Sequence, residues 1–177
     1  MSNLILIGPM GAGKTTNGKW LARQLGKTFV DMDAYIEQKT GTSITHIFEL
    51  EGEAGFRQRE AAALAEILAG ENQVIATGGG SILLDANREL MKRRGIVLYM
   101  HIPPEMQLQR LLNDRKRPLL QTGDRAERLQ QLAAERNPVY ESCADIKVDI
   151  SRMPMSRIRP HLLQSLLNQG MSNHHHA

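Results

Sequence analysis

The sequence predicts a three-layer α/β fold in which a parallel five-stranded sheet is covered by helices on both faces. Short apolar runs alternate along the chain with amphipathic helical patterns, which is typical of parallel sheets. Aromatic residues make up only 4% of the chain and hydrophobic residues 41%, which favours an aliphatic core between helices and a sheet. The length of 177 residues suits a single domain, 1–177.

The strands are predicted from short apolar or β-branched runs that end at turn residues. GIVLYMHI is the most strand-like run of the chain, and QVIAT is followed directly by three glycines. In chain order, the five predicted strands are NLILIG, TFVDMD, QVIAT, GIVLYMHI and DIKVDI.

The helices are predicted from apolar residues at spacings of three and four, bounded by glycine, serine, asparagine or proline. The predicted helices run from Lys14 to Leu25, Ala34 to Thr40, Ser43 to Leu50, Ala54 to Leu68 and Asp85 to Arg94, then through PPEMQLQRLL, AERLQQLAAERN and SRIRPHLLQSLLNQ. The seventh of these is expected to end at Asn137 and Pro138, because proline interrupts a helix.

Charge and cysteine content limit the possible partners. The 22 basic and 19 acidic residues give a net charge of +3 without a dense basic run, which suits small anionic ligands and argues against a nucleic-acid partner. The single cysteine, Cys143, excludes an internal disulfide, and LILIG is too short to span a membrane. A soluble, cytoplasmic protein without a membrane partner is therefore predicted, with residues 171–177 as a disordered tail.

A phosphate-binding loop is predicted where the first strand passes into the first helix. Gly8, Gly13, Lys14 and Thr15 match the pattern G-x-x-x-x-G-K-[ST] in GPMGAGKTT. The glycines allow a tight turn whose N–H groups point inward, and the helix adds the positive end of its dipole. Lys14 would reach the β- and γ-phosphates of ATP, and the Thr15 hydroxyl would bind Mg²⁺. The predicted phosphate-binding residues are Gly11, Ala12, Gly13, Lys14, Thr15 and Thr16.

The rest of the chain indicates a compact enzyme. The base-reading pattern N-K-x-D of G proteins is absent, and the chain has no room for a long second domain that hydrolysis could drive. A second substrate is therefore expected at the carboxyl edge of the sheet, where ligands bind in open α/β folds.

Asp31 and Asp33 lie at the end of the predicted second strand. At alternate strand positions their side chains would diverge, one towards the phosphates and one towards the acceptor. Asp31 is the candidate for holding Mg²⁺ through water, and Asp33 for accepting a hydrogen bond from the attacking hydroxyl. The alternative is that the pair only forms a turn and caps the next helix.

Arg57 lies between Glu53 and Glu60 at helical spacing, so both carboxylates could fix a guanidinium that binds a substrate carboxylate. The alternative is a solvated helix face. Phe48 and Phe56 could wall a ring-shaped substrate, although core packing explains them equally well.

Two further segments offer groups to a ligand. Gly78, Gly79 and Gly80 would let backbone N–H groups approach a ligand closely, although a flexible hinge is an equal alternative. The polar stretch 113–125 is predicted as a mobile flap whose Arg117 could neutralise charge on the transferred phosphoryl group. Arg136 lies at a predicted helix end, where the helix dipole alone could explain a cation.

Six linked motifs resemble shikimate kinase in order and spacing, over about residues 4–150: GPMGAGKTT, FVDMD, GFRQRE, ATGGG, RPLL and ERNPVYESCAD. The resemblance implies transfer of the ATP γ-phosphoryl group to the 3-hydroxyl of shikimate, in the chorismate route to aromatic amino acids. It also implies a nucleoside monophosphate kinase-like P-loop fold with sheet order 2-3-1-4-5, a substrate-binding region at about 33–61 and a lid at about 113–125.

The resemblance also assigns roles to individual residues. It implies that Asp33 binds a shikimate hydroxyl, that Arg57 and Arg136 bind the carboxylate, and that Gly78 to Gly80 contact the acceptor. Arg117 resembles the essential lid arginine and Arg110 the adenine-stacking position, with a second adenine contact near 152–154. Lys14, Asp33 and Arg117 are thus the predicted catalytic residues, with ATP and Mg²⁺ as cofactors.

Two alternatives remain at this point. A related kinase could act on another hydroxylated acceptor, such as gluconate or a nucleoside monophosphate. A non-catalytic, nucleotide-dependent binding or regulatory module is the more distant alternative, weakly favoured by the basic pI of 9.2. For the shikimate kinase interpretation a monomer is expected.

Overall fold

The computed structural model describes residues 2–112 and 124–171. Its five parallel strands are β1 (Asn3–Ile7), β2 (Thr28–Asp31), β3 (Gln73–Ala76), β4 (Gly95–His101) and β5 (Ile146–Asp149). They form one sheet in the order β2-β3-β1-β4-β5, which confirms the predicted strand number and order.

Helices cover both faces of this sheet. They are α1 (Lys14–Leu25), α2 (Met32–Thr40), α3 (Ile44–Leu68), α4 (Asp85–Arg94), α5 (Pro104–Arg110), α6 (Arg125–Cys143) and α7 (Met155–Asn168). Short 3₁₀ turns follow β3 at Ser81–Leu83 and β5 at Ile150–Arg152.

The two hydrophobic cores lie on opposite faces of the central strand. Alternate residues of β1 point to opposite faces. Ile5 and Ile7 accordingly pack in the core that includes residues of α3 and α6, whereas Leu4 and Leu6 pack in the core that includes α1 and α7. Burial on both faces explains why β1 is uninterruptedly apolar from Leu4 to Ile7.

The predicted boundary between two helices near residue 52 appears as a kink. Gly52 has φ 70° and ψ −176° inside α3, so the helical conformation is broken there between two packed segments. A left-handed φ is accessible to glycine at little cost, and no atom lies within 4 Å of the position its Cβ would take.

The predicted end of the seventh helix at Asn137 and Pro138 is wrong, because α6 continues to Cys143. A helical proline removes one backbone hydrogen bond. The buried face of α6, which includes Leu132, Arg136 and Tyr140, packs on both sides of that position. Tertiary packing therefore outweighs the local cost of the proline.

The first residue of the predicted tail packs more closely than expected. Met171, which the sequence assigned to the tail, is buried against the core that includes α1 and α7. Residues 172–177 lie outside the described part of the chain. Over residues 2–112 and 124–171, no helix combines the length and apolar character needed to cross a membrane.

Candidate active site

The phosphate loop connects β1 to the first turn of α1. Gly11 and Gly13 adopt left-handed φ values of 77° and 88°, and Gly13 is the N-cap of α1. Since α1 has neither a side-chain cap nor an acidic residue in its first turn, its N-terminal N–H groups and dipole favour an anion. This is the geometry that the sequence motif predicts.

Gly8 is needed for a different reason. A Cβ at Gly8 would collide with the carbonyl oxygen of Met100 on the neighbouring strand β4. The backbone of the loop therefore leaves the sheet in close contact with that strand.

The Lys14 ammonium lies over the loop that it follows. Its Nζ donates hydrogen bonds to the carbonyl oxygens of Gly8 at 2.5 Å and Pro9 at 3.0 Å, and the residue is 9% exposed. A buried ammonium beside inward-facing N–H groups makes this corner strongly attractive to phosphate.

Asp31 caps a helix, as the alternative interpretation expected, and also contacts the phosphate loop. Its Oδ1 accepts a hydrogen bond from the Ala34 N–H and caps α2, while its Oδ2 accepts one from the Thr15 hydroxyl at 2.7 Å. A helix cap thus lies directly against the phosphate loop. Because α2 begins at Met32, Asp33 lies in its first turn and not on the strand.

The Thr15 hydroxyl and the Asp31 carboxylate supply oxygen ligands of the kind that Mg²⁺ prefers. Within residues 2–112 and 124–171, no three His, Cys, Asp or Glu side chains cluster to form a metal cage.

Helix α5 supports the phosphate loop through hydrogen bonds from two of its side chains. The Gln107 amide donates to the Met10 carbonyl at 2.9 Å, and the Arg110 guanidinium donates to the Gly11 carbonyl at 2.7 Å. The sequence analysis missed Gln107, which is buried and 97 residues from its partner. Arg110, expected to stack on adenine, is here bonded to the loop itself.

An open cavity of about 530 Å³ adjoins the phosphate loop. A second cavity of about 170 Å³ lies over the loop residues. The residues that line both cavities are Met10, Thr15, Asp31, Asp33, Gly78 and Gly79. Two ligands bound side by side would therefore meet at Asp33 and the first two glycines of the triplet.

Arg57 borders the larger cavity and is fixed by the two carboxylates that its spacing indicates. Its Nη1 donates to Glu60 at 2.8 Å and its Nη2 to Glu53 at 3.4 Å, and its charged group lies 5.3 Å from the Phe56 ring centroid. The Arg57 side chain is only 13% exposed, so the solvated-face alternative is wrong.

Glu60 is the most deeply buried carboxylate of the cavity wall, with a side chain 1% exposed. Burial raises its pKa, Arg57 opposes this through charge and hydrogen bonding, and the nearby charge of Asp33 raises it further. The sequence analysis treated Glu60 only as a partner of Arg57.

Three buried polar atoms around this cavity have no hydrogen-bond partner among the described residues: Arg57 Nε, Glu60 Oε2 and Arg136 Nε. Leaving a buried polar group unsatisfied costs free energy, so a polar ligand that satisfies it gains affinity. All three residues line the same cavity, which marks it as a binding site for a charged or hydroxylated molecule.

The glycine triplet is required by its neighbours. A Cβ at Gly78 would lie 2.9 Å from Glu60 Oε2 and 3.2 Å from Asp33 Oδ1, and one at Gly80 would collide with the Arg57 guanidinium. The triplet therefore lets three ionisable side chains approach the backbone at the edge of the sheet, which supports the binding interpretation over a hinge.

Arg136 is a buried member of the same cavity. It is 5% exposed, and its Nη1 lies 3.4 Å from the position a Gly79 Cβ would take. Since α6 continues two turns beyond Arg136, a helix-end role does not explain this cation.

The two phenylalanines line the larger cavity and also pack with a hydrophobic core, so both interpretations of them stay open. Phe48 and Phe56 line the cavity with ring centroids 4.8 Å apart, and Phe56 also belongs to a hydrophobic core.

Cys143 is buried, and burial raises the pKa of its thiol, as expected for a structural cysteine. Arg117 and residues 113–123 of the predicted flap lie outside the described residues.

The fold and the two adjoining cavities define a P-loop kinase that phosphorylates a small molecule. The family model of shikimate kinase matches residues 10–167. A shikimate kinase from Nitrosococcus oceani is 47% identical over 164 residues, which are 93% of this chain and 86% of the relative. One from Halorhodospira halophila is 47% identical over 168 residues and 95% of each chain. The chain belongs to the shikimate kinase family.

A solved structure gives the same result. A shikimate kinase from Acinetobacter baumannii in complex with shikimate is 44% identical, has a TM-score of 0.92, and matches 97% of this chain and 96% of its own. A gluconokinase from Sinorhizobium meliloti shares the fold at a TM-score of 0.65, but only 18% of its sequence. The family therefore supports an ATP- and Mg²⁺-dependent shikimate kinase over a gluconate kinase.

Proposed function

We propose that this protein transfers the γ-phosphoryl group of ATP to the 3-hydroxyl of shikimate, giving shikimate 3-phosphate and ADP for the biosynthesis of aromatic amino acids. The observation that carries the proposal is the cavity beside the phosphate loop, which is lined by two arginines, Arg57 and Arg136, and by the carboxylate Asp33. An acceptor that is both anionic and hydroxylated matches this arrangement of charges.

On the acceptor side, Arg57 and Arg136 bind the carboxylate of shikimate. Asp33 accepts a hydrogen bond from the 3-hydroxyl and orients its oxygen towards the phosphate loop. Backbone groups of Gly78 to Gly80 contact the ring hydroxyls. The buried, unpaired Nε atoms of both arginines support this assignment, since a bound polar group would satisfy them.

On the nucleotide side, the N–H groups of residues 11–16 hold the phosphates and Lys14 neutralises charge on the γ-phosphoryl oxygens. Thr15 would bind Mg²⁺ directly and Asp31 would hold it through water. Mg²⁺ there supplies further charge neutralisation on the phosphate oxygens. Arg117 reaches the same oxygens from the lid, and Arg110 contacts adenine together with the chain near 152–154.

The reaction is an in-line displacement. The shikimate hydroxyl oxygen forms a bond to the γ-phosphorus as the bond to the bridging oxygen of ADP breaks, and Asp33 holds or receives the hydroxyl proton. Since the transition state is loose, positioning and charge neutralisation supply most of the acceleration.

A coupled assay of ADP release tests the function, with shikimate, gluconate and a nucleoside monophosphate offered in parallel. We expect turnover with shikimate and little with the other two, because neither pairs a ring hydroxyl with a carboxylate at the right separation. Preferential turnover of gluconate would favour the related-kinase alternative. ATP binding without product from any acceptor would favour the regulatory module.

The remaining assignments belong to the same proposal. The protein acts as a single domain and a monomer in the cytoplasm, with an acceptor-binding region at about 33–61 and a lid at about 113–125, and it needs no nucleic acid or membrane. Light scattering during size-exclusion chromatography tests the monomer, for which a mass near 19.8 kDa is expected.

A further inference from the structure

Tyr140 connects two parts of the acceptor cavity but does not line the cavity itself. It is 1% exposed and lies one helical turn after Arg136 on the same face of α6. Its hydroxyl donates a hydrogen bond to the carbonyl oxygen of Gly79, in the middle of the glycine triplet. A helix residue thus holds the loop that follows β3.

Arg136 lies against the same hydroxyl. Burial raises the pKa of Tyr140 to about 12, and the charge and hydrogen bonding of Arg136 are the main effects that oppose the rise. A Cβ built on Gly79 would lie 3.4 Å from Arg136 Nη1 and 3.6 Å from the Tyr140 hydroxyl. The hydroxyl therefore adjoins both the arginine and the glycine backbone.

The ring of Tyr140 is held by a second tyrosine. Tyr99 of β4 stacks on it with centroids 5.0 Å apart and an interplanar angle of 28°. The Tyr99 hydroxyl makes separate contacts, to His101 Nδ1 at 2.9 Å and Asn137 Oδ1 at 3.3 Å. Only the Tyr140 hydroxyl bonds to a residue of the larger cavity, which makes Tyr99 a matched control.

We infer that Tyr140 is a positioning residue for the acceptor, whose hydroxyl fixes the Arg136 guanidinium and the Gly79 backbone in the arrangement that receives the substrate. The inference rests on the proposed function for the identity of that substrate. Without the hydroxyl, the Gly79 carbonyl loses its donor and Arg136 loses a neighbouring acceptor, whereas the phosphate loop keeps its own contacts.

Tyr140→Phe removes this hydroxyl alone, and Tyr99→Phe removes a hydroxyl from the stacked partner. For Tyr140→Phe we expect the KM for shikimate to rise about 3- to 10-fold, the range of one neutral hydrogen bond, with kcat and the KM for ATP within about 2-fold of wild type. For Tyr99→Phe we expect all three constants within about 2-fold of wild type. An unchanged shikimate KM in Tyr140→Phe, or equal rises in both KM values, would overturn the inference.

A shikimate analogue whose carboxylate is reduced to a hydroxymethyl group isolates the part of the Tyr140 effect that acts through Arg136. We expect Tyr140→Phe to change the KM for this analogue by a smaller factor than the KM for shikimate. An equal factor for both acceptors would overturn the assigned effect on Arg136.

A measurement without substrate separates this inference from the proposed function. The Nε–H signal of Arg136, assigned by its loss in Arg136→Lys, reports the order of the side chain in NMR relaxation experiments. We expect it to be ordered in wild type and Tyr99→Phe and more mobile in Tyr140→Phe; equal order in all three would overturn the inference. Failure of the wild-type protein to phosphorylate shikimate would overturn the proposed function, and this signal would still decide the role of Tyr140.

Discussion

The phosphate loop and the acceptor cavity share one edge of the sheet but are built by opposite means. The loop is a single run of residues, 8–16, whose backbone N–H groups and left-handed glycines make the site. The acceptor cavity takes ionisable side chains from three separate helices, with Asp33 on α2, Arg57 and Glu60 on α3, and Arg136 on α6.

This difference shows how each half obtains its specificity. Backbone groups offer the same geometry to any triphosphate, so the loop alone does not select an acceptor. Under the proposed function, the arginines select the acceptor by charge and spacing, and they must be held in place for this, as Glu60 holds Arg57. Substitutions in the two halves should therefore have separate kinetic effects.

The largest effect is expected for Lys14→Ala in the loop. Loss of the ammonium removes one of the cations that neutralise charge on the migrating phosphoryl group, so kcat should fall by on the order of 10³-fold or more. Steady-state ADP release at saturating shikimate and ATP measures this. Lys92→Ala, at an exposed lysine of α4, is the control and should retain wild-type kcat. Substantial turnover by Lys14→Ala would contradict the assignment of charge neutralisation to the loop lysine.

Arg57→Ala is the matching change in the acceptor half. Loss of a buried charged partner should weaken shikimate binding by roughly 2 to 4 kcal/mol, or roughly 30- to 1,000-fold, with the KM for ATP unchanged. Arg59→Ala is the control, since Arg59 lies on the same helix, pairs with Glu51 and is 47% exposed. Calorimetric titration with shikimate checks this, and wild-type affinity in Arg57→Ala would remove Arg57 from the binding site.

Gln107→Met tests how the loop itself is supported. The change keeps the length of the side chain but removes the hydrogen bond to the Met10 carbonyl, so the KM for ATP should rise about 3- to 10-fold while the KM for shikimate stays constant. Gln131→Met, at an exposed position of α6, provides the comparison. A larger change in the shikimate constant than in the ATP constant would contradict the separation of the two halves.

The smallest effect concerns stability and pH. Burial raises the pKa of Glu60 above its ordinary value of 4.5, which means that the folded protein favours the protonated carboxyl group. The contribution of Glu60 to the free energy of unfolding is therefore fully present below pH 4.5 and is lost as pH rises through the raised pKa. Glu60→Gln does not ionise, so its free energy of unfolding relative to wild type should increase from pH 4.5 towards neutrality, by on the order of 1 kcal/mol.

Urea unfolding of the substrate-free protein at several pH values measures this difference. Glu53→Gln is the control, since Glu53 also pairs with Arg57 but is 49% exposed, so that its loss should change the free energy of unfolding little. A difference that is flat or falls with pH for Glu60→Gln would show that the Glu60 carboxylate is not penalised by burial.

The same contrast explains what the sequence could predict. Local patterns predict the phosphate loop and the pairing of Arg57 with Glu53 and Glu60. The resemblance to the family predicts the strand order. The structure confirms all three. Gln107 and Tyr140 were missed because each acts through a partner far away in sequence, Met10 at a separation of 97 positions and Gly79 at a separation of 61. No local pattern marks such contacts.

The errors have physical causes as well. The sequence predicts that the seventh helix ends at Pro138 from the local cost of proline alone. The packing of the buried face of that helix, which outweighs this cost, is visible only in the tertiary structure. Asp33 was placed on a strand because TFVDMD alternates in polarity, but the cap that Asp31 provides starts α2 at Met32. Packing beyond the local window decides the first boundary, whereas a cap between residues three positions apart decides the second.

The continuity of α6 through Pro138 limits how this segment can change during evolution. Arg136 and Tyr140 share a face only because four helical residues separate them, and each residue added or deleted turns the later side chain by about 100° around the axis. Single replacements at exposed positions such as Glu135 leave that alignment intact. The exposed positions of this helix should therefore accept substitutions readily, whereas changes of length between Arg136 and Tyr140 should be accepted hardly at all.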